Sequence, residues 1–122
     1  MIRPKSEPRI NPFLLMRYLM KERMNLTELL KDAKKDDAVI LLEHEPVELD
    51  TMENYGIDLV VCGHTHDGQV FPGNVWGRIH DPQSYGIKKW GETTAVVTSG
   101  VGYYGPPIRV GTICEIAVID YQ

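Results

Sequence analysis

Cysteine is scarce: Cys62 and Cys114 are the two among 122 residues. Two cysteines cannot build a disulfide framework, and these have no zinc-ribbon spacing. Both lie in apolar, strand-like runs, where a free thiol behaves as a small buried hydrophobe. Basic charge is in deficit, with 13 basic against 17 acidic residues and a net charge of -4. Without a basic field, nucleic acid is not expected as the main partner. Long hydrophobic runs are missing too. The stretch from Phe13 to Met20 is broken by Arg17, whereas a membrane span needs about 20 apolar residues. No small-residue cleavage site follows it, as a secretory signal requires. The expected location is therefore cytoplasmic. What is present is an ordinary globular mix, 43% apolar and 25% charged, which argues against disorder. The length suits one domain with a real core.

Residues 1 to 11 read as an irregular lead carrying Pro4, Pro8 and scattered charge. Asn11 and Pro12 then have the form of a helix start, an N-cap followed by proline at the first helical position. They predict a helical segment from Phe13 to Met24, with apolar residues on more than one face. The first 24 residues are accordingly set apart from a domain covering 25 to 122. Asn25-Leu26-Thr27-Glu28 has the spacing of a capping box. It opens a short helix to about Ala33, with Leu26, Leu29, Leu30 and Ala33 on one side.

Ala38 to Leu42 is a continuous apolar run of strand length, of the kind a parallel sheet covers on both faces. Glu43 to Pro46 turn the chain out of it. Pro46 to Tyr55 read as a helix ended by Gly56. Ile57 to Cys62 form a second apolar strand, which stops at Gly63-His64-Thr65-His66-Asp67-Gly68. Val70 to Gln83 are loop-like. Tyr85 to Trp90 and Thr93 to Thr98 predict two strands around Gly91 and Glu92. Glycine-rich residues 99 to 105 follow. The alternation from Thr112 to Tyr121 predicts a last strand.

Three of four histidines close these strands: His44 after the first, His64 and His66 after the second. In open α/β sheets, ligands gather outside the carboxyl ends of strands. Parallel neighbours would bring all three imidazoles to one edge. Imidazole donors suit zinc, iron, manganese, nickel or cobalt better than magnesium or calcium. A generic H-x-H is a weak signal. Gly-His-Thr-His at a strand end, one β-α unit after a strand-end His-x-Pro, is far more specific for a metal site or its descendant. His80 reads as an ordinary surface or core histidine. Ser99 lacks base and acid partners, so a serine hydrolase is excluded. Gly100-Val101-Gly102 has neither a following helix nor a Walker lysine, which excludes a nucleotide loop. Lys31, Lys34 and Lys35, beside Asp32, Asp36 and Asp37, form a solvated face. Arg109 could reach a phosphate or serve a structural salt bridge.

The runs Ile40 to Pro46 and Ile57 to Gln69 resemble the C-terminal motifs of calcineurin-like metallophosphoesterases. The likeness is to the bacterial membrane-associated branch. The tail is similar as well, at Thr98 to Gly102, Gly105 to Arg109, and Glu115-Ile116. The resemblance spans roughly Lys21 to Ile119. It implies an α/β fold, half of a four-layer α/β/β/α sandwich with a β-rich C-terminal tail. It also implies phosphoester hydrolysis at a two-metal centre. His44 and His64 would ligate one ion and His66 the other, with Arg109 a possible contact on the substrate side. The implied cofactors are divalent manganese, iron or zinc: two ions in the complete site, one or none here. The metal pair activates the attacking water and holds the phosphate oxygens.

The departure from that family is equally plain. Its N-terminal motifs, D-x-H, G-D-x-x-D and G-N-H-D/E, do not occur in this sequence. The bridging aspartate and several further ligands are therefore missing. The chain reads as the C-terminal half of a phosphoesterase. A non-catalytic metal-binding or oligomerising remnant, and one half of a split enzyme, stay open beside that reading. Half a sandwich leaves apolar sheet surface uncovered. The expectation is a homo-oligomer, or a partner that supplies the missing half.

Overall fold

The computed structural model describes residues 12–17 and 24–120. Its framework is a mixed α/β arrangement. Among the described residues one sheet has five strands: β1 (Pro12–Arg17), β2 (Ala38–Glu43), β3 (Leu59–Cys62), β4 (Gly86–Trp90) and β5 (Thr93–Val97). The spatial order is β1-β2-β3-β5-β4. Strands β1, β2, β3 and β5 run parallel, and β4 folds back antiparallel on β5. Gly91, at φ 53, makes the tight turn of that hairpin.

The segment predicted as a helix from Phe13 is a strand where it is described. β1 pairs with β2 from Pro12↔Ala38 to Arg17↔Glu43. A short apolar run satisfies strand and helix patterns equally, and here the neighbouring parallel strand decides. Residues 18–23 and 121–122, and the lead before Pro12, lie outside the described residues.

Helix α1 (Leu26–Leu29) is shorter than expected but starts as expected. The Asn25 side chain accepts a 2.8 Å hydrogen bond from the Thr27 amide, which satisfies one orphan donor of the first turn. The Pro46–Tyr55 segment is a 3-10 helix over Leu49–Tyr55, closed by Gly56 at φ 70. Together these elements cover one face of the sheet. Leu26, Leu49 and Met52 pack against Val39, Leu41, Val60, Cys62, Ala95 and Val97. Leu29, Leu30 and Ala33 line the same cluster, as their helical spacing implied. Ile57 joins the core, and Thr93 Oγ1 donates to the Ile57 carbonyl at 2.6 Å, so the buried hydroxyl is satisfied.

Two further expectations are corrected. The loop-like stretch after Val70 contains helix α2 (Gly73–His80), which buries none of its residues. Val75, Trp76 and Ile79 share one side of it, but the stretch is short, follows Pro72 and includes Gly73 and Gly77, which together imitate a loop. The predicted last strand does not form among the described residues 112–120, which are irregular. Its backbone follows the loop at Gly100, where the Glu115 amide donates to the Gly100 carbonyl at 3.1 Å. A strand exists only by pairing with a neighbour, and alternation alone supplies none. Cys114, expected to be buried in that strand, is exposed for the same reason, while Cys62 is buried.

Candidate metal centre

His44 immediately follows β2, and His64 lies two residues beyond β3. The two strands are parallel neighbours. Their pairing continues past the strand ends, because the Gly63 amide donates to the His44 carbonyl at 3.2 Å. That extension sets the two imidazoles side by side. His64 Nδ1 and His44 Nε2 are 2.7 Å apart, with ring centroids 4.5 Å apart in an edge-on arrangement. His64 Nε2 faces the Glu45 carboxylate at 3.5 Å. The carboxylate favours a proton on Nε2, which leaves Nδ1 as the acceptor from His44.

The donor chemistry of this pair fits one borderline divalent ion. Two imidazole nitrogens bound tetrahedrally to zinc lie about 3.3 Å apart, so the rings need to open by roughly half an ångström. A carboxylate behind a histidine is the usual support for a ligating imidazole. His66 does not join the pair. Among the described residues no group of three or more His, Cys, Asp or Glu side chains forms a metal site. His66 instead sits against the glycine loop, where a Cβ on Gly102 would be 3.9 Å from its Cε1. Its Nδ1 is buried without a hydrogen-bond partner. His80 closes α2 and stacks on Trp76 with centroids 4.0 Å apart.

The turn carrying His64 and His66 is strained. His64, His66, Asp67 and Gln69 have φ of 66, 50, 51 and 49°. Each such residue costs on the order of 1–3 kcal/mol, and such strain persists only where surrounding contacts over-determine it. Here the contacts are visible. Thr65 Oγ1 donates to the Ser84 carbonyl at 2.7 Å. The Gln69 amide accepts from Tyr104 N at 2.6 Å and donates to Tyr104 O at 2.8 Å. The Val110 amide and the Thr112 hydroxyl both donate to the Gln69 carbonyl. Gly68, at φ 70, is required by space as well, since a Cβ there would lie 2.5 Å from the Asn74 nitrogen.

Residues 8–68 match the family described as calcineurin-like phosphoesterase. This chain belongs to that family. The match opens within the segment that the sequence reading set apart as a lead. An uncharacterized metallophosphoesterase of Helicobacter pylori (strain ATCC 700392 / 26695) is 34% identical over 108 residues, which is 84% of this chain. A transmembrane protein with metallophosphoesterase domain from Bos taurus is 37% identical over 102 residues, 81% of this chain. Phosphodiesterase YaeI of Escherichia coli (strain K12) is 30% identical over 86 residues, 66% of this chain. The chain spans 29%, 23% and 31% of these three relatives. No solved structure matches it. Among the described residues no helix is long and apolar enough to cross a membrane.

In this chain Arg109 is turned inward. Its Nη2 donates to the carbonyls of Ser99, Gly100 and Gly102 at 2.8, 3.1 and 2.7 Å. Its Nη1 donates to the carbonyls of His66 and Ile113 at 3.2 and 3.1 Å. The guanidinium thus ties the glycine loop to the histidine turn, and the expected acid partner is replaced by backbone carbonyls. Reasoning from the sequence also passed over Glu115 as more than a family motif. Its Oε1 accepts from Ser99 N and Thr98 Oγ1, both at 2.9 Å, and its Oε2 accepts from Tyr85 Oη at 3.0 Å. The Ser99 amide, aided by the Thr98 and Tyr85 hydroxyls, holds the Glu115 carboxyl below its ordinary value despite partial burial. Burial pushes the Tyr85 phenol up, and its bond to Glu115 adds to that. No local motif announces such a hub, because the partners of Glu115 lie 16 to 30 residues from it in sequence.

Proposed function

We propose that this chain carries the C-terminal part of a metal-dependent phosphoesterase site. The observation that carries the reading is the convergence of His44 Nε2 and His64 Nδ1 at 2.7 Å beyond two parallel strands. His44 and His64 hold one ion, with Glu45 keeping the far nitrogen of His64 protonated. His66 serves a second ion through its unpartnered Nδ1. Bound divalent ions supply Lewis acidity toward phosphate oxygens and lower the pKa of an attacking water. Manganese, iron and zinc all suit imidazole donors. Arg109 acts as a clasp that fixes the loops around the histidines, not as a phosphate contact. The substrate is a phosphoester, in keeping with relatives named metallophosphoesterase and phosphodiesterase.

The remaining ligands of a two-metal centre come, in this reading, from the part of the family sandwich that the described residues do not contain. The opposite face of the sheet, with half-buried Leu42, Val61 and Val96 and an exposed Ile87, supports a partner there, either a second copy or a chain bearing the missing half. The test is a titration of the purified chain with cobalt or zinc, followed by absorption and calorimetry. One ion should bind weakly, and His64→Ala should abolish the binding. Turnover of a nitrophenyl phosphodiester with manganese should be slight for the chain alone. It should rise when the N-terminal half of a relative is added. Failure of the native chain to bind any ion at millimolar concentration would sink the reading.

A further inference from the structure

Asp67 follows His66 and has a carboxylate that is 4% exposed. Burying a carboxylate is costly unless it is paired and hydrogen-bonded. Its partner is Arg78 of α2. Arg78 Nε donates to Oδ1 at 2.8 Å and Nη2 to Oδ2 at 2.5 Å, a two-point fork. The hydrogen bond to Asp67 raises the Arg78 pKa further, against the lowering effect of burial. The same guanidinium lies over the Tyr85 ring, 4.7 Å from its centroid. Tyr85 in turn donates to Glu115. Asn74 stands one helical turn before Arg78 on the same face of α2, and its Nδ2 donates to the Gly111 carbonyl at 2.9 Å. The glycine-to-backbone contact at Gly68 brings the start of this helix against the turn.

His66 has a ring whose Nδ1 forms no hydrogen bond. Its orientation is therefore set by backbone, through successive left-handed residues His66 and Asp67. Two ties hold that backbone from outside: Arg109 on the His66 carbonyl and Arg78 on the Asp67 side chain. We propose that the Asp67–Arg78 pair is a positioning device for His66. It locks α2 to the histidine turn and so fixes where the imidazole stands, without touching the site itself. The role in metal chemistry rests on the function proposed above, whereas the mechanical claim stands on the geometry.

Asp67→Gly separates the two contributions of residue 67, since glycine adopts φ near 51° without strain and removes only the carboxylate. Arg78→Gln removes the other partner. Leu49→Ala, in the buried core, serves as a variant that loses stability without touching the clamp. The imidazole nitrogen and proton signals of the full chain are recorded by NMR, with His66→Ala to assign His66. Asp67→Gly and Arg78→Gln should shift or broaden the His66 signals and leave those of the His44–His64 pair in place. Leu49→Ala should move neither. Cobalt affinity, which reads the His44–His64 pair, should stay near the wild-type value in both clamp variants. Wild-type His66 signals in Asp67→Gly, or equal displacement in Leu49→Ala, would overturn the proposal. A wild-type chain that binds no cobalt would refute the metal reading, and the ring signals would still decide the positioning claim.

Discussion

On the inner face of the sheet, Leu41, Val60 and Ala95 form a cross-strand row that is fully buried. One residue along, the outer row of Leu42, Val61, Val96 and Ile87 is just as apolar. Its first three members are half-buried, and Ile87 is 73% exposed. The two rows differ by a single step in register, which sends side chains to opposite faces. α1 and the 3-10 helix Leu49–Tyr55 cover the inner row. On the outer face Leu59 is 3% exposed, so cover there is confined to one end and gives out toward Ile87. An apolar strand pattern thus states that both faces want cover, and the difference in burial shows which face this chain covers itself.

The largest effect should come from the inner face. Leu41→Ala should cost about 2–5 kcal/mol in denaturant melts, the usual range for truncating a buried leucine. Val96→Ala on the outer face should cost roughly 1 kcal/mol or less, because a half-buried methyl group leaves little cavity. Equal losses would break the comparison and show that the outer face is covered in solution.

A smaller effect belongs to the edge where the loops meet the sheet. Glu115→Gln should cost about 1–3 kcal/mol at neutral pH, the range for hydrogen bonds to a charged group. The sign of its pH dependence follows from the lowered folded pKa. The carboxylate stabilises the fold above the ordinary glutamate value of 4.5. That contribution disappears as pH falls through the lower folded value. Thermal melts of wild type and variant should therefore converge on acidification below that value. A gap that persists into strong acid would sharpen the case for packing over charge.

The smallest effect on folding should come from Ile87→Lys. At a surface site it should change stability by no more than about 0.5 kcal/mol. If a partner copy covers the outer row, the same change should dissociate it, because a buried unpaired charge is costly. Light scattering at tens of micromolar reads the difference. An oligomer that survives the substitution would place the contact elsewhere.

Much of the framework was legible from residue order. Ala38 to Leu42 and Ile57 to Cys62 are continuous apolar runs of strand length, and they form β2 and β3. Asn25 predicted its own cap. Gly91 marked the hairpin turn. The placement of His44 and His64 at strand ends was readable as well, and parallel pairing of β2 with β3 makes them neighbours. Other parts were misread for identifiable reasons. Asn11-Pro12 imitates a helix start, and Phe13 to Met16 suit either state until β2 supplies a partner. Residues 112 to 120 alternate like a strand but find no neighbour to pair with. α2 is held by the polar side chains of Asn74 and Arg78, contacts that apolar periodicity does not report.

The sequence by itself determined the local choices: which runs extend, where glycine permits a left-handed turn, and which strands end in imidazole. These follow from sterics and hydrophobic patterning within a few residues. Only the tertiary structure decided the rest. It brought Arg78 onto Asp67 across a loop, gathered Thr98, Ser99 and Tyr85 around Glu115, and turned Arg109 onto backbone carbonyls. Such contacts depend on distance in space rather than along the chain. A charged side chain has many possible partners in sequence, and the folded backbone leaves it one set within reach.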